Sequence, residues 1–368
     1  MCACATTPEP KLFREEILGY GSAEERYSAW FADEYQGVLY FGLSPFWTEL
    51  RAHRGDATAD LLEPGAHLIG RFELDREIFL PPLLVRKPGP DSRSSVWDVL
   101  AHPNGWIYYT TYFEEMGRVR PGMGDVEHFD AVGTGLNEIA LGPDGNLYVT
   151  RYGAGVGSAG DSAEGDGAVV VISPDGALLR ERSLHARDGA VTAPKSVAVD
   201  PLNGDVWTNA DVVAPSGKVT FATFHLDADL RVLEQATAPE LMFVAFDRAG
   251  RGFFVEDREG RVELRVTHRG TELARLDLGP RAPADFAQDV HFGAGGVAAI
   301  AFWSGRIELV REEDGVYRHA RVTLEKPPEC ADGLFYSAFA ASHAVYATLY
   351  CDAAIVRGPL PSDFEPAR

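Results

Sequence analysis

A few polar side chains in this sequence stand at matching places in successive strand-like runs, and their types suit a converging site. Asn137, Lys195 and Gln288 each head such a run, as do the apolar residues Trp97, Met242 and Phe335. Asp98, Glu138 and Asp289 follow one residue later in their runs, while Arg151 and Glu256 fall just past the next run. A lysine, an arginine and a carboxylate together can orient a substrate and move a proton, with Glu256 as base and Lys195 as acid. Amide and carboxylate oxygens such as those of Asn137, Asp98, Glu138 and Asp289 are what calcium takes, six to eight at a time. Trp97, Met242, Gln288 and Phe335 would form the wall of a small-molecule pocket.

These residues are far apart in the chain, so the elements carrying them must bring them together. The stretch "GLNEIALGPDGNLYVT", from Gly135 to Thr150, shows how: two apolar runs flank the turn Gly142-Pro143-Asp144-Gly145. The same unit reads "WDVLAHPNGWIYYTT" from Trp97, "KSVAVDPLNGDVWTNA" from Lys195, "MFVAFDRAGRGFFVE" from Met242 and "QDVHFGAGGVAAIAF" from Gln288, with a degenerate "FYSAFAASHAVYATL" from Phe335. Turn positions fall at Gly105, Gly145, Gly204, Gly250, Gly296 and His343, a spacing mostly in the forties. Weaker strands follow, such as "AVVVIS" and "ALLRERSL", giving four per unit, and that period with that strand count marks propeller blades.

"YSAWFADEYQGVLYFGL" adds a further unit with Gly37 as its turn, and the count favours seven blades over six. The last unit shows only three strands, so "KLFREEIL" near the N-terminus is expected to supply the fourth and close the ring, which removes exposed sheet edges. The expected fold is therefore all-β, a single propeller of four-stranded blades over residues 11–368, after a flexible tail over 1–10. In such a ring the heads of the inner strands crowd the axis. The axial slot then holds Ala29, Trp97, Asn137, Lys195, Met242, Gln288 and Phe335. A second ring, just past the second strands, holds Leu43, Thr111, Arg151, Ala210, Glu256, Phe302 and Leu349.

Composition excludes several other functions. A formal charge of -21 argues against nucleic acid, whose phosphates are bound by clustered Lys and Arg. No run of about 18 apolar residues exists, so no membrane span is expected. The N-terminus "MCACATTPEP" has no apolar signal segment, and the compartment stays open. Cys330 and Cys351 flank one hairpin-like segment and can be paired or free; Cys2 and Cys4 sit in the tail. None of the ten histidines forms an H-x-H or H-E-x-x-H pattern, and His102 and His291 read as core residues of inner strands. The Gly-rich "GAGVGSAGDSAEGDG" lacks a P-loop's Lys-Ser/Thr, so no nucleotide or organic cofactor is indicated. The chain reads as a monomer acting on a small-molecule substrate or ligand.

"GPDGNLYVT", with "MGRVRP" in the blade before it, resembles the NHL-type repeat and the blades of the virginiamycin B lyase family. "LNEIALGPDGNLYVTRYG" also looks like the gluconolactonase, senescence-marker-protein and squid phosphotriesterase group. That second resemblance implies a six-bladed calcium hydrolase in which the Asn heading an inner strand, here Asn137, binds the metal. Lys195 stands where another oxygen ligand would be expected, and Asp98, Glu138 and Asp289 would have to complete the set. The lyase resemblance implies a His in one slot, and no slot here carries one. Three readings remain open: hydrolysis of an ester, lactone or phosphoester, with or without calcium; a lyase reaction; and a non-catalytic propeller binding a ligand or protein.

Overall fold

A computed structural model describes residues 11–14, 27–45, 67–86, 96–111, 115–153, 166–282, 285–326, 335–349 and 354–366. The four cysteines, the tail over 1–10 and most of the Gly-rich insertion lie outside these residues. The alternating and aromatic-rich runs form seven antiparallel sheets arranged as a seven-bladed propeller. Blade 1 runs from Tyr27–Tyr35 through Val38–Pro45 and His67–Glu73 to Ile78–Arg86. The inner strands of blades 2 to 7 are Val96–Ala101, Leu136–Leu141, Gly189–Val199, Glu240–Phe246, Ala287–Phe292 and Phe335–Ala340. Each packs beside the next, and the last packs on the first.

The closing strand comes from the other end of the chain. Lys11–Arg14 pairs antiparallel with Ala354–Pro359, the third strand of blade 7, in the register Phe13 to Ile355. At the C-terminus, Glu365–Pro366 adds to the outer edge of blade 6, beside Arg318 and His319. Both ends of the chain thus cover an edge that would otherwise stay unpaired.

The core lies between blades rather than within one. Phe13, Leu39, Phe41, Phe72, Phe339 and Tyr346 pack blades 7 and 1 together, and comparable clusters join the other neighbours. The hairpin Gly135–Thr150 shows how local chemistry sets a blade. Gly145 takes φ +78°, a left-handed conformation that Gly adopts at no steric cost, and its N–H closes the turn on Gly142 O at 3.0 Å. Asp144 accepts from Asn146 N at 3.1 Å, fixing the return of the chain.

Candidate functional site

All seven inner strands carry a pairing irregularity, near the first residues in six of them and at mid-strand in Gly189–Val199 of blade 4. It falls between Ala29 and Ala32, Val96 and Asp98, Leu136 and Ile139, and Pro194 and Ser196. It recurs between Leu241 and Phe243, Ala287 and Asp289, and Phe335 and Ala338. An extra residue in one strand interrupts the two-sided alternation and re-aims a side chain. Two successive residues are therefore sent to different places around the axis. In blades 2, 3 and 6 the first of these, Trp97, Asn137 or Gln288, lines an upper pocket, and the next, Asp98, Glu138 or Asp289, lines a channel adjoining it.

The upper pocket, about 260 Å³, is lined by Trp97, Asn137, Met242 and Gln288 from near the heads of inner strands and by Lys195 from the middle of Gly189–Val199. Its aromatic wall belongs to a cluster of Trp30, Phe31, Trp97 and Tyr336, in which the rings of Trp30 and Trp97 lie 4.2 Å apart. Lys195, partly exposed, pairs with Asp211 at 2.9 Å and lies 4.8 Å from the Phe221 ring centroid. Asn137 is 2% exposed and donates from Nδ2 to Pro194 O and Lys195 O in blade 4, at 3.4 and 3.3 Å. Asn209 ties blade 4 to blade 5 in the same way, through Leu241 O and Met242 O at 2.9 and 2.8 Å.

The adjoining channel, about 580 Å³, gathers Asp33, Asp98, Glu138, Asp289 and His291. Several of these carboxyls reach across to the next blade. Asp33 accepts from Ala101 N and Asp98 from Ile139 N, both at 2.8 Å, and Glu138 accepts from Val197 N. Ser337 Oγ donates to Asp289 and accepts from Ala32 N at 3.0 Å, joining blades 6, 7 and 1. His291 Nε2 lies 2.7 Å from Asp289 Oδ2.

So many acids enclosed around one channel oppose one another's ionisation. Burial, reinforced by Asp289 and Asp33, pushes Asp98 up to about 8. Burial raises Glu138 well above the ordinary carboxylate range, with Asp98 and Asp289 adding to it. Asp33 is raised chiefly by burial, against the pull of His291. Burial disfavours a charged His291, but Asp289, Asp33 and Asp98 outweigh it and raise its pKa. Glu138 and Asp98 are thus the carboxyls of the cluster most disposed to hold a proton. Glu138 lines both the pocket and the channel, so it is the proton holder that a bound molecule can reach.

Three residues assigned to the site by spacing lie elsewhere. Glu256 is 2% exposed but faces outward within blade 5, where Arg265 Nη2 donates to it at 2.6 Å and Arg275 lies 3.6 Å away. Its second-strand position turns the carboxylate toward the third and fourth strands and away from the axis. Arg151 pairs with Glu181 on the outer strand of blade 3 and lines neither cavity. Phe335 is fully buried between blades 6 and 7; the irregularity after it aims the following residue, Tyr336, at the pocket instead. Asp98, Glu138 and Asp289 do converge. Among the described residues, however, no group of three or more His, Cys, Asp or Glu is placed to hold a metal ion.

Spacing did not single out Asp33, Ser337, Asp211, Trp303 or Tyr336 for the site. The available signal was a polar residue inside an apolar inner strand, as in "FADEY" and "YSAFA". His102 behaves as a satisfied core imidazole, its Nε2 lying 3.0 Å from Gly145 O in the next blade. His291, read as a similar core residue, lines the channel.

No protein-family model matches the chain, and no curated protein matches it. Among solved structures it is similar to a catalytically inactive histidine-to-alanine variant of virginiamycin B lyase from Staphylococcus aureus, solved with quinupristin. The likeness covers 96% of this chain and 100% of that one, with a TM-score of 0.59 and 13% sequence identity. At that identity it shows the shared propeller fold. The seven blades separate this chain from the six expected of a gluconolactonase-like ring. No helix among the described residues is long and apolar enough to cross a membrane.

Proposed function

We propose that this propeller is a small-molecule enzyme that cleaves a C–O bond of an ester or lactone in the upper pocket, with Glu138 as the proton donor. The observation that carries this reading is the position of Glu138, whose raised carboxyl borders both the aromatic-walled pocket and the acid-filled channel. A carboxyl that stays neutral near pH 7 is suited to protonate a leaving oxygen, which is how enzymes commonly use a carboxylic acid in an apolar site. Lys195, at the same pocket, would place the acyl oxygen and stabilise charge developing on it. As water adds to the carbonyl carbon, the C–O bond breaks and the Glu138 proton passes to the leaving oxygen. The proton released by the attacking water then restores Glu138.

The test is a panel of aryl esters, lactones and quinupristin, assayed with wild type, Glu138→Gln and Lys195→Ala. Turnover by wild type with a loss of about 10²–10⁴ in kcat for Glu138→Gln, and unchanged melting temperature, supports the proposal. Heavy-oxygen water separates hydrolysis, which incorporates the label, from elimination, which leaves a double bond. Equal rates in wild type and Glu138→Gln would remove Glu138 from the chemistry.

A further inference from the structure

Lys195 is carried to the upper pocket on an extended strand. Among the described residues, the inner strand of blade 4, Gly189–Val199, has 11 residues, against 6 to 9 in the other blades. Its first half, Gly189–Pro194, stays paired with Ala210–Val213, which pairs in turn with Val219–Ala222, so blade 4 carries a three-stranded tongue beside the pocket. Blade 3 braces this tongue: Gly153 N donates to Thr192 O and Gly167 N to Val191 O, both at 2.7 Å. A Cβ on Gly167 would lie 2.5 Å from Pro194 Cδ, so the two blades meet with no room for a side chain there.

Pairing passes from Pro194 with Ala210 to Ser196 with Asn209, which makes Lys195 the extra residue of a bulge and takes its side chain out of the strand's alternation. The ammonium then meets two groups of the tongue, Asp211 Oδ1 at 2.9 Å and the Phe221 ring, its centroid 4.8 Å away. Asp211 and Phe221 are direct cross-strand partners, and such partners project to one face. Lys195 is the only cation among the described residues lining the pocket, and Asp211 does not line it. A lysine ammonium is a point charge with three donors on a flexible four-carbon stem. A half-exposed ion pair adds little to stability, so the effect of this one lies in fixing where the charge sits.

We infer that Asp211 is a positioning residue for Lys195, holding the ammonium where charge develops on the acyl oxygen and acting on turnover only through that lysine. This role rests on Lys195 being the group that stabilises that charge, as proposed above. With Asp211 gone, the freed stem spends only part of its time at the reacting oxygen, and a small misplacement of such a group slows the chemical step more than it weakens binding.

The experiment measures kcat and KM for dihydrocoumarin and phenyl acetate in wild type, Asp211→Asn, Asp211→Glu, Lys195→Ala and the Lys195→Ala, Asp211→Asn double variant. Lys195→Ala is expected to lose about 10²–10³ in kcat. Asp211→Asn should lose roughly tenfold in kcat with KM and melting temperature little changed, and Asp211→Glu should recover most of that loss. In the Lys195→Ala background Asp211→Asn should cost nothing more, since one residue acts through the other. Should Asp211→Asn not fold, NMR relaxation of labelled lysine in wild type, assigned with Lys195→Ala, carries the test. An ordered Lys195 stem is then expected, and one as mobile as that of the exposed Lys218 overturns the role of Asp211. Wild-type kinetics in Asp211→Asn, or the same loss whether or not Lys195 is present, overturns that role and leaves the chemistry of the pocket standing. If wild type turns over neither compound, or Lys195→Ala matches wild type, the assignment of Lys195 falls and that of Asp211 with it.

Discussion

Glu256 and Glu138 are both largely enclosed glutamates, yet their surroundings give them opposite roles. Glu256 is surrounded by Arg265, Arg275 and Arg258, so its charge is compensated and its contribution is structural. Burial opposes a charge on Glu138, Asp98 and Asp289 add to it, and a single backbone N–H does not offset them. Glu256→Gln is therefore expected to lower stability by about 3 kcal/mol, the low end for removal of one partner from a buried ion pair because the arginines are partly exposed, with catalytic constants unchanged. Urea unfolding beside steady-state kinetics checks this, and a collapse of kcat at unchanged stability would return Glu256 to the chemistry. Trp97, Asn137, Lys195, Met242 and Gln288, grouped by sequence spacing, line one pocket, whereas Phe335, given the same slot, is buried between blades 6 and 7. Spacing misplaced Glu256 and Arg151 because the direction of a second-strand side chain depends on twist and pairing, which it does not carry.

At the scale of elements, the turn glycines and the period in the forties made the blades legible, and the three visible strands of blade 7 called for a fourth from the N-terminus. What remained hidden was the irregularity in each inner strand, since one extra residue leaves no mark in a composition or a period. It explains why Asp98, Glu138 and Asp289 face the channel while their predecessors face the pocket. Closure can be tested on the short strand Lys11–Arg14. Phe13 packs 5.0 Å from the Phe72 ring, and the neighbouring Arg357 is bound to Glu77 of blade 1. Phe13→Ala should cost about 3 kcal/mol by denaturant unfolding, the usual result of emptying a buried aromatic site. A loss below about 0.5 kcal/mol would mean that the ring is held shut by other contacts.

For the whole molecule, the axial acids make stability depend on pH in an unusual direction. Asp98 has an ordinary value of 3.8 and about 8 when folded, so the native state binds a proton that the unfolded chain releases. Its contribution is full below about pH 4 and is lost as pH rises through 8; Glu138 and Asp33 act in the same sense. Glu77, with burial opposed by Arg357 and Tyr346, and Glu115, with burial opposed by His67 and His128, are lowered, and their contributions are lost only in stronger acid. Unfolding free energy is thus expected to fall as pH rises from about 5 to about 8, with a shallower fall in Asp98→Asn. The net charge of -21 adds to the same trend through self-repulsion. A wild-type profile that is flat or rising over that range would contradict a protonated axis.

The most direct measurement is the infrared difference spectrum between wild type and Glu138→Gln near neutral pH, in light and heavy water. A neutral carboxylic acid has a carbonyl stretch, well separated from that of a carboxylate, that shifts on deuteration. Wild type is expected to show such a band and Glu138→Gln to lose it. A spectrum in which the substitution removes only a carboxylate band would show Glu138 ionised, and the proton donor assigned to this pocket would not exist.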